Sequence, residues 1–149
     1  MNHEIEIKPM MTADIPSVCT VWKQSGLVIS DYEREQYELQ TLMAANPTMC
    51  LIATAEKQII GTIIGANNGR RVWIYHLAVL PDWQGKGVGS LLLSKVEEKA
   101  TQQGATKLLL GVGLSNLKVV PFYEKQGYSV MNDMVLFQKM LPWKGGEHT

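Results

Sequence analysis

The chain has 149 residues, 46% of them hydrophobic and 19% charged, with 14 Lys and Arg balanced by 14 Asp and Glu. That length suits one domain, residues 1–149, with a core that needs no disulfide or metal, and zero net charge excludes the broad basic field that nucleic acid or a membrane surface selects. The only cysteines, Cys19 and Cys50, lack the spacing of zinc or redox motifs, so both read as small buried hydrophobes and no metal is expected.

"MNHEIEIKPM" shows no apolar leader, and no later run approaches the roughly 18 apolar residues that cross a bilayer. A cytoplasmic protein without membrane or nucleic-acid partners is expected. "EIEIKPM" alternates at period two and predicts a first strand. Ile15, Val18 and Trp22 then recur at helical spacing, predicting a helix over residues 14–24, started by Thr12 or Asp14 and stopped at Gly26. A second helix is expected over residues 31–45, with Tyr32, Leu39 and Met43 on one face, and it must end before Pro47.

The period next changes to that of strands. "TMCLIATA" and "QIIGTIIGA" predict a hairpin turning at Glu56 and Lys57, and "NNGR" turns the chain into the strand "RVWIYHLAVL". Beyond a glycine-rich turn, Val88, Leu92, Val96 and Ala100 mark the buried face of a helix ended by Gly104. "TKLLLGVGL" predicts a strand, residues 116–126 a helix closed by Gly127, and "YSVM" and "MVLFQKM" a hairpin across Asn132 and Asp133. The polar "WKGGEHT", residues 143–149, reads as a frayed tail. This order gives about seven strands and four helices. The strand–helix–strand unit over residues 71–114 is a right-handed crossover, so one pair must be parallel in an otherwise antiparallel sheet. The expected class is α/β of the α+β type, a mixed sheet with helices on both faces.

The turn "DWQGKGVGS" raises a chemical question. One glycine suffices for a tight strand-to-helix connection, yet Gly85, Gly87 and Gly89 occupy alternate positions around Lys86. Bare backbone N–H groups at a helix N-terminus, with a cation beside them, make an anion cradle suited to phosphate. A Walker loop is excluded because Gly87, not Ser or Thr, follows Lys86. The spacing GxGxG after a meander also fails the dinucleotide-binding fingerprint.

Gln84, Gly85, Lys86, Gly87, Val88 and Gly89 instead resemble the Gln/Arg-x-x-Gly-x-Gly/Ala signature of the GNAT superfamily of N-acetyltransferases. "NLKVVPFYEKQGY" is similar to a second motif of that family, matching at Asn116, Phe122, Tyr123, Glu124, Gly127 and Tyr128. It departs at Val119, where the family usually has a small residue, and at Pro121, which falls inside the expected helix and removes an N–H there. The stretch from Asn67 to Gly89 looks like that of the small, stand-alone YpeA-type bacterial branch.

The resemblance implies a GNAT fold and acetyl-CoA as co-substrate, with an amine as acceptor. It assigns the pantetheine arm to the backbone of Leu77, Ala78 and Val79, to Asn116 and to the apolar wall of Phe122. The pyrophosphate falls to the loop from Gln84 through Gly85, Lys86, Gly87, Val88 and Gly89 to Ser90. A backbone N–H near Val79 would polarise the acetyl carbonyl, and Tyr123 would protonate the departing thiolate, as a phenol of pKa ~10 can at neutral pH. The glutamate that many members carry on the strand before the loop is missing from "WIYH", which leaves ordered water, His76 or Tyr75 to take the amine's proton. Alternation places Tyr75 with Trp73 and Leu77, and His76 on the opposite face.

The segment "SGLVISDYEREQYE" sets Asp31, Glu33, Glu35 and Glu38 against Arg34, a patch suited to a cationic amine, while Arg70 and Arg71 leave an acidic acceptor open. A small amine, a protein N-terminus and a lysine all remain candidates. The alternative is a non-catalytic acyl-CoA-binding module. The final hairpin and "LPWK" offer an apolar edge on which a second copy of the chain could dock.

Overall fold

Both residues of the link at 56–57 take left-handed backbone angles, φ +53° at Glu56 and +63° at Lys57, as a two-residue hairpin turn of the I′ class demands. They join β2 (Cys50–Ala55) to β3 (Gln58–Asn67). β1 (Glu6–Pro9) pairs with β2, and β4 (Val72–Val79) with β3, all antiparallel. β5 (Leu108–Leu110) lies parallel to β4, giving a five-stranded mixed sheet in the order β1-β2-β3-β4-β5. The computed structural model describes residues 4–143, and the chain divides into two units, Met1–Leu110 and Gly111–Thr149. The expected tail from residue 144 onwards lies outside the described residues.

Three helices belong to the first unit. α1 (Ile15–Ser25) buries Ile15, Val18, Val21 and Trp22 and ends at Gly26 with φ +87°. α2 (Tyr32–Ala45) starts where the Asp31 carboxylate accepts a hydrogen bond from the Arg34 N–H at 3.1 Å, satisfying one of the orphan donors of a first turn. α3 (Val88–Gln102) buries Val88, Leu92, Val96 and Ala100, the four positions its spacing marks.

The helices take opposite faces of the sheet. A Cβ built on Gly61 would lie 3.0 Å from Leu92 and 3.1 Å from Val88, and one on Gly65 would lie 2.9 Å from Val96. These glycines therefore let α3 press on the β3 backbone. Thr62 points the other way, to Trp22 of α1, and Ile64, two residues on, faces α2. The expectation of helices on both faces holds.

The second unit departs further from its expected form. A 3₁₀ stretch spans Leu114–Val119, broken by non-helical angles at Asn116, and only then does α4 (Val120–Lys125) begin. Pro121 thus sits in the first turn of α4, where its missing N–H has no intrahelical role, instead of kinking a longer helix. Residues 128–143 form no regular structure, so five strands replace the expected seven among the described residues. Asn132 and Asp133 supply no glycine to a two-residue turn, and a lone hairpin is marginal in water. β5 is shorter than expected because Gly111 and Gly113 follow it. No described helix is long and apolar enough to cross a membrane.

Candidate active site

β4 changes character half-way along. Its first three residues pair with β5, Val72 with Leu108, Trp73 with Leu109 and Ile74 with Leu110, and there the parallel ladder stops. On its other edge, Gly61 pairs with Val79 and Thr62 with Ala78, but Ile64 pairs with Tyr75. β4 has therefore gained one residue on β3, a bulge at His76 and Leu77 opposite Ile63. His76 takes φ +48° there, a left-handed angle unusual outside glycine.

The far end of β4 faces an open edge. Leu80 donates its N–H to the Ile60 carbonyl at 2.8 Å, so antiparallel alternation turns the N–H and C=O of Val79 away from β3. The Val79 carbonyl accepts from the Gln84 side chain at 3.0 Å, which ties the following loop to the strand. The Val79 N–H is left on the edge that β5 does not reach. An extended ligand can add to such an edge as a further strand, and a donor there suits an oxygen that gains charge.

The glycine loop adjoins that edge. Pro81–Trp83 forms a 3₁₀ turn with Trp83 buried. Gly85 and Gly87 follow at φ +76° and +85°, and a Cβ on either would meet nothing within 4 Å. Space in front of both is open, so a bound group can approach the backbone closely. Gly87 caps α3 without a side chain, so the N-terminus of this 15-residue helix presents backbone donors and the positive end of its dipole, a fit for phosphate. The Lys86 ammonium lies 5.1 Å from the centre of the Trp83 ring, so its charge is held beside the loop by an aromatic face. Val88 is buried at the helix start, with Gly89 and Ser90 half-buried after it. Among the described residues no cluster of His, Cys, Asp or Glu is suited to a metal ion.

On the α1 and α2 side a chain of polar contacts crosses the core. Trp22 Nε1 donates to Thr62 Oγ1 at 3.0 Å, and Thr62 Oγ1 donates to the His76 carbonyl at 2.9 Å. The His76 ring meets the Trp22 ring edge-on at 4.7 Å between centroids, and its Nε2 lies 3.0 Å from Glu35 Oε2. The expectation that His76 opposes Tyr75 across the sheet is thus corrected. The bulge interrupts alternation, and both side chains reach the α2 side. There they line a cavity of about 520 Å³ with Ile64 and with Glu35, Glu38 and Leu42 of α2. Glu38 is paired with Arg34 at 3.2 Å, whereas Asp31 is spent on capping α2. A wider cavity of about 950 Å³ lies along the polar side of α1, where Glu4, Glu6, Asp14 and Glu56 outnumber Lys8 and Lys57.

In the second unit, Asn116 stands at the break in the 3₁₀ stretch and donates its N–H to the Gly113 carbonyl at 2.8 Å. Phe122 and Tyr123 lie on α4 with ring centroids 5.1 Å apart, and Tyr123 meets Tyr128 at 5.9 Å. Burial pushes the Tyr123 phenol above its ordinary value, which keeps it protonated, and so able to donate a proton, across the neutral range.

The model of the Acetyltransferase (GNAT) family matches residues 15–128. The chain belongs to that family. An acetyltransferase of Sodalis glossinidius (strain morsitans) is 28% identical over 137 residues, spanning 92% of this chain and 96% of that one. Among solved structures, Ard1 from Thermoplasma volcanium superposes with a TM-score of 0.76 at 22% identity, over 86% of this chain and 84% of that one. An aminoglycoside N-acetyltransferase in complex with CoA gives 0.77 at 16% identity, over 95% and 98%. These likenesses establish the GNAT fold, and the chain is an N-acetyltransferase of that superfamily.

Two features of this acetyltransferase escaped sequence reasoning. The pairing of His76 on β4 with Glu35 of α2, 41 residues earlier, was one. The Trp22–Thr62 relay was also missed, although a Thr inside the apolar "QIIGTIIGA" is a polar group that burial obliges to find partners.

Proposed function

We propose that this acetyltransferase carries an acetyl group from acetyl-CoA to a primary amine in the cytoplasm, the acceptor being a small amine or a protein N-terminus or lysine. The observation that carries this reading is the junction of β4 and α3, where an unpaired strand edge runs into an uncapped helix N-terminus. The backbone of Leu77, Ala78 and Val79 receives the pantetheine arm as an added strand. Gln84, Gly85, Lys86, Gly87, Val88, Gly89 and Ser90 hold the pyrophosphate through backbone donors, the helix dipole and the Lys86 charge. Their motif assigns Asn116 and Phe122 to the pantetheine arm as well.

Acetyl-CoA supplies an acetyl group activated as a thioester. The Val79 N–H stabilises the carbonyl oxygen of that group as it gains charge. Tyr123, protonated throughout the neutral range, gives its proton to the leaving thiolate. The cavity bearing Glu35 and Glu38 receives the amine, since two carboxylates against the one cation Arg34 leave it a negative balance that favours a cationic acceptor.

Calorimetric titration with acetyl-CoA tests the donor site. One-to-one binding is expected, at least tenfold weaker in Gly87→Ala, where a side chain enters both the cradle and a left-handed angle. Because the added Cβ meets no protein atom within 4 Å, the variant should fold, and equal affinity in both proteins would refute the cradle. Tyr123→Phe should lower turnover roughly 100-fold with acetyl-CoA affinity unchanged. An undiminished rate would remove Tyr123 from the chemistry.

A further inference from the structure

Building on the acetyl-transfer reading, we propose that His76, oriented by Glu35, is the group that accepts the proton released by the acceptor amine. His76 stands on the bulge of β4, three residues before Val79, and meets Glu35 of α2 in the wall of the cavity assigned to the amine. About a quarter of each side chain is exposed, 25% for His76 and 29% for Glu35, so a solute can reach them.

The geometry holds this histidine from every side. A left-handed angle is unfavourable for a residue with a Cβ, so it persists only where surrounding contacts impose it. Thr62 holds the His76 carbonyl, Trp22 packs against the ring edge, and Glu35 takes Nε2. Such over-determination serves an imidazole that must keep one orientation. A sheet that needed only to turn would place glycine there.

The partner also selects the tautomer. An ionised carboxylate can only accept, so the hydrogen must sit on Nε2, and Nδ1 keeps the lone pair. Among the described residues nothing hydrogen-bonds to Nδ1. Once the bound ammonium has given one proton to solvent, His76 therefore takes the second at Nδ1 as the neutral amine nitrogen bonds to the acetyl carbon and the carbon–sulfur bond breaks. Tyr123 supplies the thiolate's proton, and exchange with water resets both residues, leaving an amide and a free thiol. Glu35 is a positioning residue that also stabilises the imidazolium.

The charged and titratable groups around the pair fit this assignment. α2 contributes Glu35, Tyr37 and Glu38, the last held by Arg34, and β4 contributes Tyr75. On α1, burial raises the Cys19 thiol above its ordinary value, with Lys23 opposing and Glu35 adding to the rise. Cys19 thus stays neutral and does not compete for the proton. Tyr32, raised by burial and then by Cys19 and Glu35, stays neutral as well.

The test uses the full chain with acetyl-CoA bound and two probe amines, 1,4-diaminobutane and a lysine-containing peptide. His76→Gln should bind acetyl-CoA as the wild type does, while kcat/KM falls roughly 100-fold and the acidic limb set by the enzyme disappears, leaving only the one set by deprotonation of the amine itself. Glu35→Gln should fall at least tenfold, because an amide can donate to Nε2 and so move the proton to Nδ1. Ring ¹⁵N shifts, assigned by their loss in His76→Gln, should show hydrogen on Nε2 in the wild type and a shift of that hydrogen in Glu35→Gln. Turnover with an unchanged pH profile in His76→Gln overturns the assignment and leaves acetyl transfer standing. Hydrogen on Nδ1 in the wild type overturns it even if neither probe amine is acetylated. Failure of the folded wild type to bind acetyl-CoA overturns the acetyl-transfer reading itself, and the proton assignment with it.

Discussion

The two faces of the sheet are built for different work. On the α3 face, β3 presents Gly61 and Gly65, and Val88, Leu92 and Val96 close over them. That contact is apolar and so tight that a Cβ at either glycine would force its neighbours to shift. On the α1 and α2 face, the same strand presents Thr62 and Ile64, and the neighbouring bulge brings His76 to Glu35. One side sets where the helix bearing the glycine loop begins. The other sets where titratable groups stand. A strand whose alternate residues answer to different partners can separate scaffold from chemistry within two positions.

The largest effect should come from filling the α3 face. Gly65→Val would put a branched side chain where even a Cβ lies 2.9 Å from Val96 and 3.0 Å from the Met49 Cβ. Overpacking of this kind costs about 3 kcal/mol, and urea denaturation should show a clear fall in midpoint. Because the displaced element is α3, acetyl-CoA affinity should weaken with it. A variant as stable as the wild type would mean that α3 does not rest on β3 at this depth.

That contrast between faces was only partly legible in the sequence. Helical spacing revealed Val88, Leu92, Val96 and Ala100, because α3 meets an apolar surface along its length and its periodicity records that. The turn at Glu56 and Lys57 and the stop at Gly104 were equally readable, since each depends on neighbours within a few residues. The His76–Glu35 pair was not. It joins residues 41 apart, and the bulge that creates it reverses the side to which strand alternation assigns His76. The glycine loop was legible as an anion cradle because its chemistry lies in one short run. The segment after α4 misled for the opposite reason: "MVLFQKM" has the composition of a strand, yet Val135, Leu136 and Phe137 remain exposed and no strand forms. Strand propensity records fitness for a pleated, half-buried surface and does not supply the partner.

A middle-sized effect is expected from cutting the polar relay while keeping its shape. Thr62→Val preserves volume but leaves Trp22 Nε1 and the His76 carbonyl without their partner on a fully buried side chain. Losing such bonds costs about 2 kcal/mol. With its carbonyl released, the His76 backbone should relax from its left-handed angle, so kcat/KM should fall while acetyl-CoA affinity holds. Thr62→Ser, which restores the hydroxyl, should recover most of the activity. Equal activity in Thr62→Val and Thr62→Ser would show that the relay serves stability alone.

The smallest effect asks whether the α1 and α2 face is wet beyond its relay. Cys50 pairs with Ile64 and so shares that face, and burial pushes its thiol up to about 12 from 9.0. Between those values an unfolded chain ionises this thiol while the folded protein keeps it neutral, so the unfolded state binds fewer protons. Stability must then fall as pH rises, by up to about tenfold in the unfolding constant per pH step. Cys50→Ala removes that contribution at the cost of a small cavity, about 1 kcal/mol. The wild type should therefore be the more stable protein at pH 8, and urea titrations at rising pH should show the gap closing and then reversing, since the other raised groups, Cys19, Tyr32, Tyr75 and Tyr123, are common to both chains. A gap that stays constant up to pH 11 would mean that water reaches β2 from the α1 side. The low-dielectric setting that makes the neighbouring Trp22–Thr62–His76 bonds strong would then be lost, and with it the reason for His76 to hold its strained angle.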